Sequence, residues 1–514
     1  MLTRKRKSIL FVRAAPAQLH TDQSAADADR HSKCCRNKYK EEDVKGGFQI
    51  MERKYAWEKY DENDLKKINA FNEEYKTFLS CCKTERECND YAIAEIEKAG
   101  YRDLEEIIKN GETLKAGDRV YRSNRGKGLV MFQIGTEPME NGANILGAHI
   151  DSPRLDLKQN PVYEDGGFCL LNTHYYGGFK KYQWVNRPLA LHGVVAKKDG
   201  SVVKISIGEK DDEPVFGVMD LLIHLAAKQM EKKAGAVVEG EKLDVLVGSQ
   251  PLKGEKEDDE PSVKDMFLKL LKETYGIEEE DFLSAEIEVV PAGKARDLGL
   301  DRSMILSYGH DDRVCGFPSY RAMLELPESV ERTCICLLVD KEEIGSMGAT
   351  GMQSRFFEET VGEVLEALGV NHMTAVGRTL RNSTMLSSDV SAGFDPLYPE
   401  VMDKDNCAYL GKGLVLNKYT GVKGKSGSND ANAEFIGKVR RVFDDNNVYF
   451  QTAELGKVDE GGGGTIAYIM ANYGMDVIDS GVAVLGMHAP NEVVSKLDVY
   501  EALLGYVAFL KDMR

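Results

Sequence analysis

Residues 333–343 read TCICLLVDKEE: an uncharged run, Thr333–Val339, passes directly into Asp340, Lys341, Glu342 and Glu343. A run this short, apolar on both alternate sets of positions, predicts a strand buried on both faces, as sheets covered by helices require. Polar groups just beyond its C-terminal end lie where open α/β sheets build their sites. Four more segments repeat the pattern: GAHIDSP with His149 and Asp151, GHDDR with Asp311 and Asp312, SSDVSAG with Asp389, and GMHAP with His488. Together they supply two imidazoles and several carboxylates with no thiolate, the ligand set of a two-metal hydrolase.

Outward from these segments the chain alternates helix and strand patterns. Helical spacing dominates residues 55–110, with strand-like stretches at 119–134 and 143–150. After residue 296 the α/β alternation resumes, with a helix carrying Val361, Val364, Leu365 and Leu368 at core spacing. A further apolar strand at 482–485 leads to His488. The last helix is predicted to open on a capping box of Asp498 and Glu501 and to bury Leu503, Leu504 and Val507. Between 156 and 295 the texture is different. Residues 194–207 alternate apolar and polar around a KKDGS turn, which is hairpin chemistry, and the charged LKGEKEDDEPSVKD (252–265) reads as a solvated loop. The expected division is therefore a catalytic α/β domain from 51–155 and 296–514, interrupted by a β-rich insert at 156–295.

At 514 residues the chain can hold two or three cores. Its net charge of −17 argues against a nucleic-acid partner, and no apolar stretch approaches the roughly 20 residues of a membrane span. Ten cysteines, including the vicinal pairs Cys34–Cys35 and Cys81–Cys82 and the pair Cys334 and Cys336 within one strand, show no structural-zinc spacing. They read as reduced thiols of a cytoplasmic protein, Cys315 among them as a small buried hydrophobe rather than a nucleophile. Residues 1–50 begin MLTRKRKSILFV, with an apolar core shorter than a secretion signal needs. They read as a disordered extension upstream of a natural start at Met51, with a transit peptide as the alternative.

Two divalent ions about 3.5–4 Å apart need a bridging carboxylate, terminal His and carboxylate ligands, and room for a water whose proton a nearby base removes. Adjacent Glu342 and Glu343 suit that division, one toward metal and the other toward the water. Asp151, two residues beyond His149 on extended chain, falls on the same face and can accept its imidazole N–H. Singly, each piece has a plainer meaning. His-x-Asp is often a surface pair, Glu-Glu a solvated helix face, Asp-Asp-Arg a loop ion pair, and Asp389 a helix N-cap. Residues 461–464, four glycines before Thr465, lack the Lys-Ser/Thr of a phosphate loop and read as bare backbone approaching a substrate.

In this order the motifs resemble those of the aspartyl aminopeptidase / aminopeptidase I family of dinuclear zinc exopeptidases, over nearly the whole chain after residue 51. The resemblance implies that His149, Asp311, Glu343, Asp389 and His488 hold two divalent ions, zinc first, with cobalt or manganese acceptable to the same ligands. Spacing alone leaves Asp311 and Asp312 open; the family pattern puts the bridging acid first, at Asp311. Glu342 becomes the general base and Asp151 the group that orients His149. It also implies a zinc-exopeptidase-like mixed sheet flanked by helices, with an inserted β-rich dimerisation domain and assembly into homododecamers. A histidine of the insert, here His224 in LLIHLA, would reach a neighbouring active site, although a lone His in an apolar run is also a core pattern.

One departure concerns substrate choice. Acid-preferring members carry His and Lys where this chain has Asp395, in AGFDPLY, and Asn417, in LVLNKYT. Without that cation, the expected preference is for neutral or apolar N-terminal residues on peptide substrates, with Lys418 and Lys423 as the nearby positive charges. The rival readings are a dinuclear amidohydrolase or carboxypeptidase, and a catalytically silent assembly protein with the same fold.

Overall fold

Thr333–Val339 is a strand over the whole predicted run and is buried throughout. Its alternate residues enter different cores: Cys334, Cys336 and Leu338 pack on one face, Ile335, Leu337 and Val339 on the other. That two-sided burial explains why the run tolerates no charge. In this computed structural model, which describes residues 55–253 and 260–514, the strand lies parallel to Ala143–His149, with Val339 level with His149. Thr384–Ser388 runs parallel on the other side of Ala143–His149. Three neighbouring strands thus end together beside Glu342 and Glu343, His149 and Asp389.

These three lie within a nine-stranded mixed sheet. Its first three strands are Arg102–Asp103, Arg119–Ser123 and Leu129–Gln133; beyond Thr384–Ser388 come Asp476–Gly481, Leu414–Asn417 and Phe450–Thr452. One face is covered by the helices Glu62–Cys81, His310–Leu324 and Lys496–Asp512, through Phe71, Tyr75, Phe78, Phe317, Tyr506 and Phe509. The other packs on Phe356–Ala367 through Phe357, Val361, Val364 and Leu365. Each such side chain contributes about 1.5–3 kcal/mol on burial.

A six-stranded antiparallel sheet is drawn from residues 154–291, in the order Val202–Ile207, Leu189–Ala196, Ala285–Pro291, Arg154–Asp165, Phe168–Tyr176, Val245–Gly248. The first two form the expected hairpin, with Gly200 at φ +87° in the turn. A five-stranded sheet joins Arg296–Leu298, Met304–Ser307, Glu492–Ser495, Ala483–Leu485 and Ser391–Ala392.

Local pattern misled at three places. Asp498 and Glu501 do not cap the last helix: they lie inside Lys496–Asp512, behind the N-cap Ser495. Both are buried. Asp498 accepts the N–H groups of Gly411 and Gly413 at 2.7 Å each, and Glu501 that of Tyr449 at 3.0 Å. Loops that need acceptors use carboxylates whose spacing only mimics a cap. The same helix buries Leu503 but only half-buries Leu504 and Val507, because Tyr506, Phe509 and Leu510 fill the core instead. The end of the charged stretch at 252–265 is helical: Ser262 caps Val263–Tyr275 by accepting from Asp265 N. Residues 254–259, the N-terminal extension and the pair Cys34–Cys35 lie outside the described residues.

Candidate metal centre

Two supports converge on the site. His149 ends its strand, Glu342 and Glu343 occupy a 3-10 turn reached through Lys341 at φ +70°, and Asp389 follows Ser388. Asp311 and His488 come instead from the five-stranded sheet, three or four residues beyond Met304–Ser307 and Ala483–Leu485. Asp311 is the meeting point. Its Oδ1 lies 3.2 Å from His149 Nε2 and its Oδ2 lies 3.1 Å from His488 Nε2. Asp389 Oδ1 is 3.9 Å from His149 Nε2, and Glu343 Oε2 is 3.4 Å from His488 Nε2. Two groups that could each hold a metal ion result, His149–Asp311–Asp389 and Asp311–Glu343–His488, each with its donor atoms within 4.8 Å of one another. They share Asp311. Asp312 is in neither group.

Each imidazole is fixed from behind so that Nε2 faces the cluster. His149 Nδ1 stands 3.1 Å from Asp151 O and 3.3 Å from Asp151 Oδ1, and His488 Nδ1 donates to Gly178 O at 2.6 Å. Asp151 does more than its spacing from His149 suggests. Its carboxylate also accepts the N–H groups of Glu342 (3.1 Å) and Glu343 (3.2 Å) and the Tyr176 hydroxyl (2.8 Å). One buried residue therefore sets the backbone of both glutamates through its carboxylate, and the tautomer of a histidine through its carbonyl with the carboxylate beside it.

The electrostatics are those of a cation-binding cluster. Burial opposes charge on His149, yet hydrogen bonds to Asp151 and Asp311 hold its imidazolium well above the ordinary range. His488 is likewise raised, to about 10, by Asp311 and Glu343 against the effect of burial. Burial pushes Glu343 and Asp389 well up, with neighbouring carboxylates adding to the effect. Glu342 is lifted to about 7 by burial, with the histidines pulling it down and Asp151 and Asp311 pushing it up. Glu343 Oε1 is buried without a hydrogen-bond partner. Crowded carboxylates with an orphaned oxygen, facing two fixed Nε2 atoms, fit divalent ions bound by N and O donors.

Residues 78–510 match the family model described as aminopeptidase I zinc metalloprotease (M18). The chain belongs to the M18 aminopeptidase family. It is 60% identical over 463 residues to a probable M18 family aminopeptidase 1 of Clostridium acetobutylicum, covering 90% of this chain and 99% of that one. The crystal structure of aminopeptidase I from Clostridium acetobutylicum superposes with a TM-score of 0.83 at 58% identity, over 90% of this chain and 99% of that chain. An M18 aminopeptidase structure from Thermotoga maritima gives 0.84 at 43% identity, again over 90% and 99%. The chain is thus a zinc metallopeptidase of the mixed α/β M18 fold.

Other residues singled out from the sequence belong to neither of the two candidate metal groups. His224 is exposed in the turn Ile223–Leu225, which removes the core reading of that histidine. Asn417 is buried and committed, accepting from Ser391 Oγ at 2.6 Å and donating to Ala453 O at 2.8 Å. Asp395 accepts from Leu397 N in its own turn, and Lys418 is paired with Asp430 at 2.5 Å. Of the glycines at 461–464, Gly462 faces the protein's own backbone: it pairs with Val422, and a Cβ there would meet Gly421 O at 2.2 Å, whereas a Cβ on any of the other three would meet nothing within 4 Å. The expectation of a substrate approach at that glycine gives way to this strand contact. Cys315 is buried and burial pushes its thiol well up, as for an inert side chain.

Two contributors have no motif of their own. The segment Tyr176, Gly177 and Gly178 touches Asp151, Glu343 and His488 in turn, through a hydroxyl, a close approach of 3.4 Å to Glu343 Cβ for a Cβ built at Gly177, and a carbonyl. Glu492, four residues past His488, accepts from both Asp311 N and His488 N. The only sequence signal for it is an acid opening the short strand Glu492–Ser495 (EVVS).

Proposed function

We propose that the chain removes single residues from peptide N-termini with two divalent ions, zinc first, one held by His149, Asp311 and Asp389 and the other by Asp311, Glu343 and His488. The observation that carries this is Asp311, which turns one carboxylate oxygen to each histidine. Bound there, the ions supply Lewis acidity and a lowered pKa for water. Glu342 stands 4.0 Å from His149 Nε2 and belongs to neither ligand group. It takes the proton of the attacking water and returns it to the leaving amine. Asp151 holds Glu342, Glu343 and His149 in register for that transfer.

Neutral or apolar N-terminal residues are the proposed substrates. Asn417 is neutral and internally bonded, and Lys418 is paired with Asp430, so neither offers a free cation for an aspartyl side chain. Desolvating such a carboxylate unpaired costs several kcal/mol, enough to erase a preference for it. The test is kcat/KM across matched Leu, Met, Lys, Asp and Glu substrates, with and without chelator. Leu or Met should lead, and activity should vanish when elemental analysis shows the metal gone. A preference for Asp overturns the specificity reading alone; full activity without metal overturns the mechanism.

We also propose that residues 156–295 form the oligomerisation domain of a cytoplasmic homododecamer built from dimers, with His224 reaching the neighbouring active site. Met219, Leu221, Leu222, Ile223 and Leu225 are exposed around His224, an apolar strip suited to burial against another copy. His224→Ala is expected to lower kcat without removing metal, and light scattering should report a large assembly. A fully active monomer would refute both expectations.

A further inference from the structure

Asp311 and His488 both lie where regular structure cannot hold them. Gly309 is at φ +77°, Asp311 and Asp312 depart from helical φ and ψ inside His310–Leu324, and His488 is at φ +63°. A histidine in left-handed backbone is strained and needs support from its surroundings. The N–H of Asp311 points to Glu492 Oε2 at 3.1 Å, and the N–H of His488 to Glu492 Oε1 at 2.7 Å. Glu492 is 1% exposed; its bond to Asp311 is fully buried and its bond to His488 partly buried.

Topology explains why this residue meets both. Glu492–Ser495 lies between Met304–Ser307 and Ala483–Leu485 and is antiparallel to each. Its first residue is therefore level with the C-terminal ends of both neighbours, where the chain departs toward Asp311 and His488; Glu492 pairs with Ser307 directly. Asp151 has the matching role on the opposite side, where its two oxygens accept from Glu342 N and Glu343 N.

We propose that Glu492 is a positioning residue of the metal centre: by accepting one N–H on each oxygen it locks the bridging acid Asp311 and the terminal ligand His488 into one rigid unit. It belongs to neither of the two candidate ligand groups. The inference rests on the two-ion reading of Asp311 given above. Both acceptors are needed, because a side chain with only one leaves the N–H of Asp311 or of His488 facing a donor or nothing.

The experiment compares Glu492→Gln with Glu501→Gln, a control that removes charge from an equally buried carboxylate bonded to Tyr449 N and Tyr60. Zinc affinity is read by competition with a chromophoric chelator, and the ligand field by visible absorption of the cobalt-loaded proteins. Glu492→Gln should weaken zinc binding about 10–100-fold, the usual loss for partners that orient ligands, and alter the cobalt spectrum. Glu501→Gln should change thermal stability while leaving both readouts at parent values. If Glu492→Gln does not fold, Glu492→Asp is read in the same way; it keeps charge and both acceptors but cannot reach both N–H groups. Parent affinity and spectrum in the folded Glu492 variant overturn the proposal, as does equal weakening in Glu501→Gln. A parent protein that takes up fewer than two ions defeats the two-ion reading itself, and this inference with it.

Discussion

Glu342→Gln is expected to lower kcat by about 10²–10⁴-fold while both ions stay bound. The amide keeps the size of the side chain but cannot accept the proton of the attacking water. Glu342 lies outside both ligand groups, and its backbone N–H, held by Asp151, is unaffected by the change. Glu343→Gln should behave differently. Its Oε2 faces His488 Nε2 at 3.4 Å within a ligand group, and a neutral amide oxygen is the weaker donor to a divalent ion. Occupancy of that site should fall, and activity should recover in part at high added zinc. Turnover of an amino-acid p-nitroanilide together with elemental analysis separates the two cases. The reverse pattern would exchange the roles of the two glutamates.

Asp311→Asn should empty both sites, since Asp311 belongs to both groups, whereas Asp389→Asn should empty only one. Loss of a partner that merely orients a ligand already weakens binding about 10–100-fold. Loss of charge on a shared ligand should therefore weaken each ion by at least about 10²-fold. Folding should survive, because the bonds that place Asp311 run through its backbone N–H to Glu492 and its carbonyl to Ser152 Oγ. Metal per chain, measured after gel filtration, is expected near two for the parent, one for Asp389→Asn and none for Asp311→Asn. Two ions retained by Asp311→Asn would move the bridge to the adjacent buried Asp312.

Much of this centre was legible because its signals are local. TCICLLV is apolar at every second position on both sides, and such a run has few alternatives to a doubly covered strand. His149, Asp389 and the glutamate pair could be read as the polar ends of such strands. The position of the glutamates in a 3-10 turn could not, since it depends on Lys341 taking a left-handed conformation. Asp498 and Glu501 show the opposite failure, where correct capping spacing met loops with a greater need for acceptors.

By itself, then, the sequence determined the buried strands, the donor chemistry at their ends and the acidic, thiolate-free character of the ligand set, because side-chain type and period-2 burial act over a few residues. Tertiary structure decided which donors meet. Asp311 rather than Asp312 lies between the two histidines, and Asp151, Glu492 and Tyr176–Gly178 hold the clustered side chains from behind. Those choices rest on hydrogen bonds between groups as far as 310 positions apart, as from His488 to Gly178. Such bonds form only after strands from distant parts of the chain have packed side by side, and no local period records them.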